Sequence, residues 1–358
     1  MRVTPIKISP LALRRRPLTC AAMKVLFAFL LAVALFAPAT RAAFINGHAY
    51  QPLADWADAN GFRIASRHSD EIILTNRTAR LVFDKDSHTA EINGVNVALS
   101  FPVASDKGQF SIAQLDLTKT VEPLIFAPKF SGKKISTIVL DPGHGGKDPG
   151  NRVADRSEKT ATLALAQELS SQLKASGFKV ILTRKKDSFV ELPVRPDIAN
   201  RANADLFVSL HFNATTSGKA DVSGPETYCI TPVGASSSNA QGEGANYGAT
   251  TANLSEKKSL LLAYQVQRAF VKNLDVEDRS VRRARFAVLR DAEMPAILIE
   301  SGYMTHPVEG KKIFDTAYRK QLAAAIVKGI LNYQKLTAPV DQSYTNSAPV
   351  KFSKKKKA

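Results

Sequence analysis

From residue 44 to about residue 130 the apolar positions come in short runs: "FINGHAY", "EIILTN", "ARLVFD" and "TAEINGVNVALS". Each has the length and composition of a strand. Asn46-Gly47 and Asn93-Gly94 are hairpin turns by sequence, because a two-residue loop that matches the strand twist needs φ > 0 at both central positions. Between these pairs, "QPLADWADANGF" has the spacing of one helix stopped by Gly61. The pattern predicts a small α+β domain over 44–130. His48, His68 and His88 fall in it without the spacing of metal ligands, and they are read as surface residues.

"FAPKFSGKKIS" (Phe126–Ser136) is the linker, and beyond it the periodicity changes. Apolar runs at Ile135–Leu140, Lys179–Thr183, Leu206–His211, Thr227–Thr231, Phe286–Leu289 and Ala296–Glu300 read as strands. Helical spacing appears at Leu163, Ala166, Leu169 and Leu173, at Leu262, Val266 and Ala269, and at Leu322, Ile326 and Ile330. Strands alternating with helices predict an α/β domain over 131–336, an open and mostly parallel sheet with helices on both faces. Ser217–Ser255, rich in Gly, Ser, Ala and Asn, reads as a long flexible insertion, and the basic stretch 337–358 as a disordered tail.

The first 43 residues change the account of charge and compartment. "MKVLFAFLLAVALFAPATRAA" (Met23–Ala43) runs from a lysine through an apolar stretch to small residues, the order of a secretory signal peptide. Its apolar part is short for a membrane span, so an uncleaved anchor is the weaker reading. Residues 1–43 carry seven Lys/Arg and no acids, which leaves 42 basic residues against 32 acidic in the remainder. A basic exported protein suits an anionic partner such as a wall polymer; contact with a membrane is left open. Nucleic acid is set aside, because no basic-aromatic motif or zinc-finger spacing is present. Cys20 lies in the leader, so Cys229 is unpaired and reads as a buried, inert thiol.

Ligands and catalytic groups of open α/β sheets gather beyond the carboxyl ends of the strands. His144 follows "STIVL" in "TIVLDPGHGGKDPG", where two Asp-Pro-Gly turns bracket it. His211 closes "LFVSLH" and Glu300 closes "AILIE". Glu158 falls in the first turn of the helix after the His144 loop, with Ser157 as its expected N-cap and Gly177 as its stop. Each alone has a bland reading: a structural histidine, a first-turn acid, or a glutamate paired with an arginine such as Arg184 or Arg195. Two imidazoles and a carboxylate converging from three elements supply the protein side of a catalytic Zn2+ site, namely His144, Glu158 and His211. Glu300 is then the candidate general base.

"TIVLDPGHGGKDPGN", "EKTATLALAQEL", "TRKKDSFVELPVRPDIANRANADLFVSLHFNAT" and "PAILIESGYMTH" resemble, in order and over nearly all of 135–333, the blocks of zinc-dependent N-acetylmuramoyl-L-alanine amidases, the amidase-3 family. The resemblance implies that His144, Glu158 and His211 bind zinc and that Glu300 is the catalytic acid/base. It also implies hydrolysis of peptidoglycan in the periplasm or cell envelope, for wall remodelling or daughter-cell separation, with room for a protein activator. A different zinc peptidoglycan peptidase and a non-catalytic wall-binding protein are the rival readings. Tyr303 and His306 depart from the phenylalanine and asparagine common in the family. Asn213 and Arg195 match positions that shape the site. Some relatives carry a self-inhibiting helix, and the composition of the insertion predicts none here. "INGHAYQPLADWADANGF" and "EINGVNVALSFPV" resemble the small domain named for the N-terminus of copper amine oxidases, which implies an accessory module.

Overall fold

The computed structural model describes residues 43–126, 134–218, 221–239 and 248–338. The expected leader up to residue 42, the tail beyond residue 338 and part of the insertion lie outside these. Strand β1 (Ala43–Ile45) turns at Asn46-Gly47, with φ of 50° and 81°, into β2 (His48–Pro52). Helix α1 (Leu53–Ala59) follows, buries Leu53, Trp56 and Ala57, and is stopped by Gly61 at φ 70°. An antiparallel meander comes next: β3 (Arg63–Arg67), β4 (Glu71–Thr75), β5 (Arg80–Asp84), β6 (Thr89–Ile92) and β7 (Val95–Ala98). Asn93-Gly94 makes the β6–β7 turn, with Ile92 opposite Val95. Strands β8 (Ala104–Asp106) and β9 (Gln109–Ala113) join β1 and β2 in a separate four-stranded sheet. A bent helical run through Gln114–Asp116, Leu117–Val121 and Glu122–Ile125 ends the region.

The second region begins with β10 (Thr137–Pro142), a ribbon of β11 (Arg152–Val153) and β12 (Arg156–Ser157), and helix α2 (Glu158–Ala175). Strand β13 (Lys179–Leu182), α3 (Val194–Arg201), β14 (Leu206–Asn213) and β15 (Glu226–Cys229) come next. The chain then passes through α4 (Glu256–Asn273), β16 (Val281–Arg283), α5 (Ala287–Arg290), β17 (Ala296–Tyr303), α6 (Glu309–Lys312) and α7 (Thr316–Thr337). Four neighbours, β13-β10-β14-β17, are parallel, as alternation of strand and helix predicts. Strand β15 then pairs antiparallel with β17, so the sheet is mixed rather than uniformly parallel.

Side chains alternate between two apolar layers, as the period of a strand requires. Ile138, Leu140, Val208, Leu210, Ile297 and Ile299 pack with α2, α4 and α7. Val139, Phe207, Leu298 and Tyr228 pack on the other face with Ala199 of α3 and Val288 and Leu289 of α5. Each Val, Leu, Ile or Phe among them contributes about 1.5–3 kcal/mol on full burial.

Two expectations are corrected here. Phe286–Leu289 does not form a strand: Ala287–Arg290 is a helical turn, and β16 beside it is the strand. An apolar run of four fits either state, and packing of Val288 and Leu289 against the sheet decides for helix. Ser217–Ser255 is not flexible throughout, because it contains β15 and a 3₁₀ turn, Thr251–Ser255, held by a capping box from Thr250 and Asn253.

Strands β3–β7 of the first region and β10 with β13–β17 of the second form one sheet of eleven, in the order β13-β10-β14-β17-β15-β16-β7-β6-β5-β4-β3. The join is β16 to β7, with Val281 beside Val97. Around it the Asn96 amide donates to Asp278 Oδ2 at 2.7 Å, the Tyr264 hydroxyl to the Ile92 carbonyl at 2.8 Å, and Arg283 to the Lys119 carbonyl at 2.7 Å. Cys229 is buried at the same join, as expected, against the Arg283 guanidinium.

Candidate metal centre and its carboxylate

Register places the site. His211 on β14 lies beside Glu300 on β17, and Glu300 lies opposite Glu226 on β15, so three polar side chains form one row at the carboxyl edge of the sheet. Gly143 reaches the same row by donating its amide to the Leu210 carbonyl at 3.0 Å. Glu158 arrives from the other side, at the first residue of α2. Ser157 is the N-cap in backbone conformation, but its hydroxyl pairs with Thr160 Oγ1 at 3.0 Å and makes no capping bond, which corrects that expectation.

His144, Glu158 and His211 meet: their ligating atoms all lie within 4.8 Å of one another, and among the described residues this is the group of His, Cys, Asp and Glu that could hold a metal ion. His144 Nε2 is 3.1 Å from Glu158 Oε2, and His211 Nδ1 is 2.9 Å from Glu158 Oε1. On its far side, His144 Nδ1 bonds Asp148 Oδ2 at 2.8 Å, the outer carboxylate that orients a ligating imidazole. Glu158 is 1% exposed and takes further hydrogen bonds from the Asn151 amide and side chain, both at 2.9 Å, and from the Phe212 amide at 3.1 Å. Burial pushes its carboxyl up, but bonds from the two histidines outweigh that and hold it far below the ordinary carboxylate range. Burial lowers His144 in turn, and the Glu158 and Asp148 carboxylates more than restore it, so it is raised overall. The donor set, its closeness and the outer carboxylate fit a divalent ion.

The turn chemistry around His144 is steric. His144 itself holds φ 61°, a left-handed conformation that is costly outside glycine and asparagine and that surrounding structure must enforce. Arg195 does so: it donates to the carbonyls of Pro142 and His144, both at 3.0 Å, and pairs with Asp141 Oδ1 at 2.8 Å, with its own side chain and that of Asp141 buried. Arg184 donates to the carbonyls of Pro142, Gly143 and Lys159 at 2.7–2.9 Å. Neither arginine reaches Glu300, so the bland reading of Glu300 as an arginine partner fails. Gly143 and Gly150 carry no side chain for a different reason. A Cβ on Gly143 would collide with the His211 ring, and one on Gly150 would lie 2.5 Å from His144 Cδ2 and 2.7 Å from Glu158 Oε2.

Glu300 stands beside this cluster and outside its hydrogen bonds. Its Oε2 is buried with no hydrogen-bond partner among the described residues. Burial first, and then the charges of Glu158 and Glu226, push its carboxyl well above the usual range. A buried oxygen left bare is costly unless something else meets it. A cleft of about 370 Å³ opens over these groups, walled by Leu192, Phe286, Ala287, Val288 and Leu298.

Glu226 was missed by sequence. It accepts from Asn213 Nδ2 at 2.6 Å, the Tyr303 hydroxyl at 2.7 Å and Arg282 at 2.5 Å. The hydroxyl that distinguishes Tyr303 from phenylalanine is thus used. His306 lies just before α6, where its Nδ1 accepts from the amides of Val308 and Glu309 at 3.3 and 3.0 Å.

The fold and site define a class, an α/β protein with a His–Glu–His cluster and a buried carboxylate at the carboxyl edge of its parallel strands. The chain belongs to the N-acetylmuramoyl-L-alanine amidase family, whose model matches residues 138–332. It is 33% identical over 218 residues to the N-acetylmuramoyl-L-alanine amidase AmiC of Neisseria meningitidis, covering 55% of this chain and 52% of that one. Against the amidase AmiA of Escherichia coli the identity is 32% over 230 residues, covering 58% and 78%. The chain spans about half the length of the Neisseria relative and, at 35%, about a third of the amidase LytC of Bacillus subtilis. Among solved structures, the amidase AmiC2 of Nostoc punctiforme is 34% identical, with a TM-score of 0.47, covering 57% of this chain and 99% of that one.

Proposed function

We propose that this protein is an exported, zinc-dependent amidase that hydrolyses the bond between the lactyl group of N-acetylmuramic acid and the L-alanine of the peptidoglycan stem peptide. Its place is the periplasm or cell envelope, in wall remodelling or daughter-cell separation. Among the described residues no helix is long and apolar enough to cross a membrane. Family membership supports the reaction, and the observation that carries the mechanism is Glu300, a bare and raised carboxyl beside the cluster.

His144, Glu158 and His211 would hold the ion. When bound, zinc supplies a Lewis acid for the amide carbonyl and brings the pKa of a water down to about 7. Glu300 accepts the proton of the attacking water as the C–O bond forms, then returns it to the alanine nitrogen as the C–N bond breaks. Asp148 fixes the His144 ring, Arg195 fixes its backbone, and Arg184 fixes the Gly143 carbonyl just before it. Leu192, Phe286 and Val288 give the cleft beside Glu300 an apolar wall. The strands of the first region serve as an accessory module.

Chelation should abolish peptidoglycan hydrolysis, and one equivalent of zinc should restore it. Single alanine variants at His144, Glu158 or His211 should fail to retain the ion. Full activity in chelator would refute the metal assignment.

A further inference from the structure

A second cavity, of about 700 Å³, opens where the two sets of strands join. Thr89, Ala98 and Phe101 contribute one wall; Ser238, Arg279 and Arg282 contribute the other. Among the described residues no acidic one lines it, and two arginines do.

Strand register ties this groove to the cleft. Leu298, in the wall of the cleft, lies opposite Tyr228, and Tyr228 lies beside Arg282. One residue beyond the Val281–Val97 pair, Arg282 neighbours Ala98, and Ala98 pairs with Thr89. Residues in register across neighbouring strands share a face, so cleft and groove open on one side of one sheet. A chemical link follows the same line: Arg282 donates to Glu226, and Glu226 stands opposite Glu300.

Arg279 is positioned but weakly engaged. Its guanidinium lies 5.2 Å from the centre of the Tyr303 ring, its contact with Glu277 is 3.5 Å long, and its Nε is buried with no hydrogen-bond partner among the described residues. Between the two arginines, Ser280 holds φ 87°, a conformation that a non-glycine residue keeps only where the surroundings impose it. Here the surroundings include the Asp278 side chain, which accepts from the Ser280 amide at 3.0 Å and also from the Asn96 amide of β7.

We propose that this groove binds a carboxylate of the substrate's stem peptide, with Arg279 and Arg282 as the binding residues, so that β6 and β7 lengthen the substrate cleft. The inference rests on the amidase reading, which supplies the stem peptide. Two strand spacings separate β17 from β16, about 10 Å, the span of about three extended residues. A stem peptide whose first residue sits at Glu300 therefore carries the carboxylates of its later residues to the arginines. Planar guanidinium groups suit that anion through paired, charge-assisted hydrogen bonds.

The test compares two soluble muropeptides on the zinc-loaded full chain, one with free stem carboxyls and one with them amidated. The wild type should favour the free acid by about tenfold in kcat/KM, one well-placed ionic hydrogen-bond pair. Arg279→Gln and Thr89→Glu should each lose that preference through KM rather than kcat. Equal rates on both substrates by the wild type, or a preference retained in both variants, would overturn the proposal. Calorimetry with the free stem peptide on the same proteins separates the two readings. Binding weakened by both substitutions, without hydrolysis by the wild type, would keep the groove and refute the amidase. Hydrolysis with binding indifferent to both would refute the groove alone.

Discussion

Replacing Glu300 with glutamine separates the two jobs its environment gives it. The side chain keeps its volume, so the change is in proton chemistry. In the zinc-free protein the folded carboxyl titrates well above its unfolded value of about 4.3, because of burial and then of Glu158 and Glu226. Between those two pKa values the native state holds a proton that the unfolded state has released. The contribution of Glu300 to the stability of the wild type therefore falls with rising pH through that window, by about 1.4 kcal/mol per pH unit. The loss is absent below the unfolded pKa and complete above the folded one. Glutamine does not titrate. Whatever constant cost its amide brings at the bare Oε2 position, the stability difference in favour of Glu300→Gln should grow as pH rises and then level off. Urea unfolding of both zinc-free proteins in half-unit steps from pH 4 to 8 reads this directly. With zinc restored, kcat should fall about 10²–10⁴-fold, the usual contribution of a positioned acid/base. Bound zinc should stay at one equivalent, because Glu300 lies outside the ligand cluster. A pH-independent stability difference, or a variant that keeps a tenth of its turnover, would refute the assignment.

Two further substitutions test the scaffold. Gly143→Ala puts a methyl into the His211 ring, so zinc affinity should drop about 10–100-fold, the scale on which supports of metal ligands act; competition with a chromogenic chelator measures it. Arg195→Met leaves Asp141 charged and buried with only Thr183 and Ser209 hydroxyls at 2.6 and 2.8 Å. That should cost about 3–5 kcal/mol in urea unfolding, and a loss below about 1 kcal/mol would show that the pair does not hold the loop.

The four central residues were legible because each sits where local pattern changes: His211 and Glu300 end apolar runs, Glu158 starts a helix and His144 lies between two turns. Strand ends and helix starts are local properties, and the topology of a parallel sheet brings them to one edge. Glu226 had no such marker. It owes its place to β15 running antiparallel to β17, a pairing that hydrophobic period does not encode. The join of β7 to β16 was hidden for the same reason, since hydrogen bonds between strands so far apart in sequence leave no periodic trace. Asp141 had no marker, Arg184 was read only as a possible partner of Glu300, and Arg195 was marked as site-shaping by the resemblance alone; burial and hydrogen bonds show that together they clamp the backbone from Pro142 to His144. At Phe286–Leu289 the run was too short for period to speak, and tertiary packing chose the state.

The most direct measurement is the mass of the fragments released from purified peptidoglycan by the full chain, with zinc and with chelator. The proposed function predicts free stem peptides beginning with L-alanine, in the zinc sample alone. Fragments cut within the stem peptide, or sugar–peptide bonds intact in both samples, would contradict it.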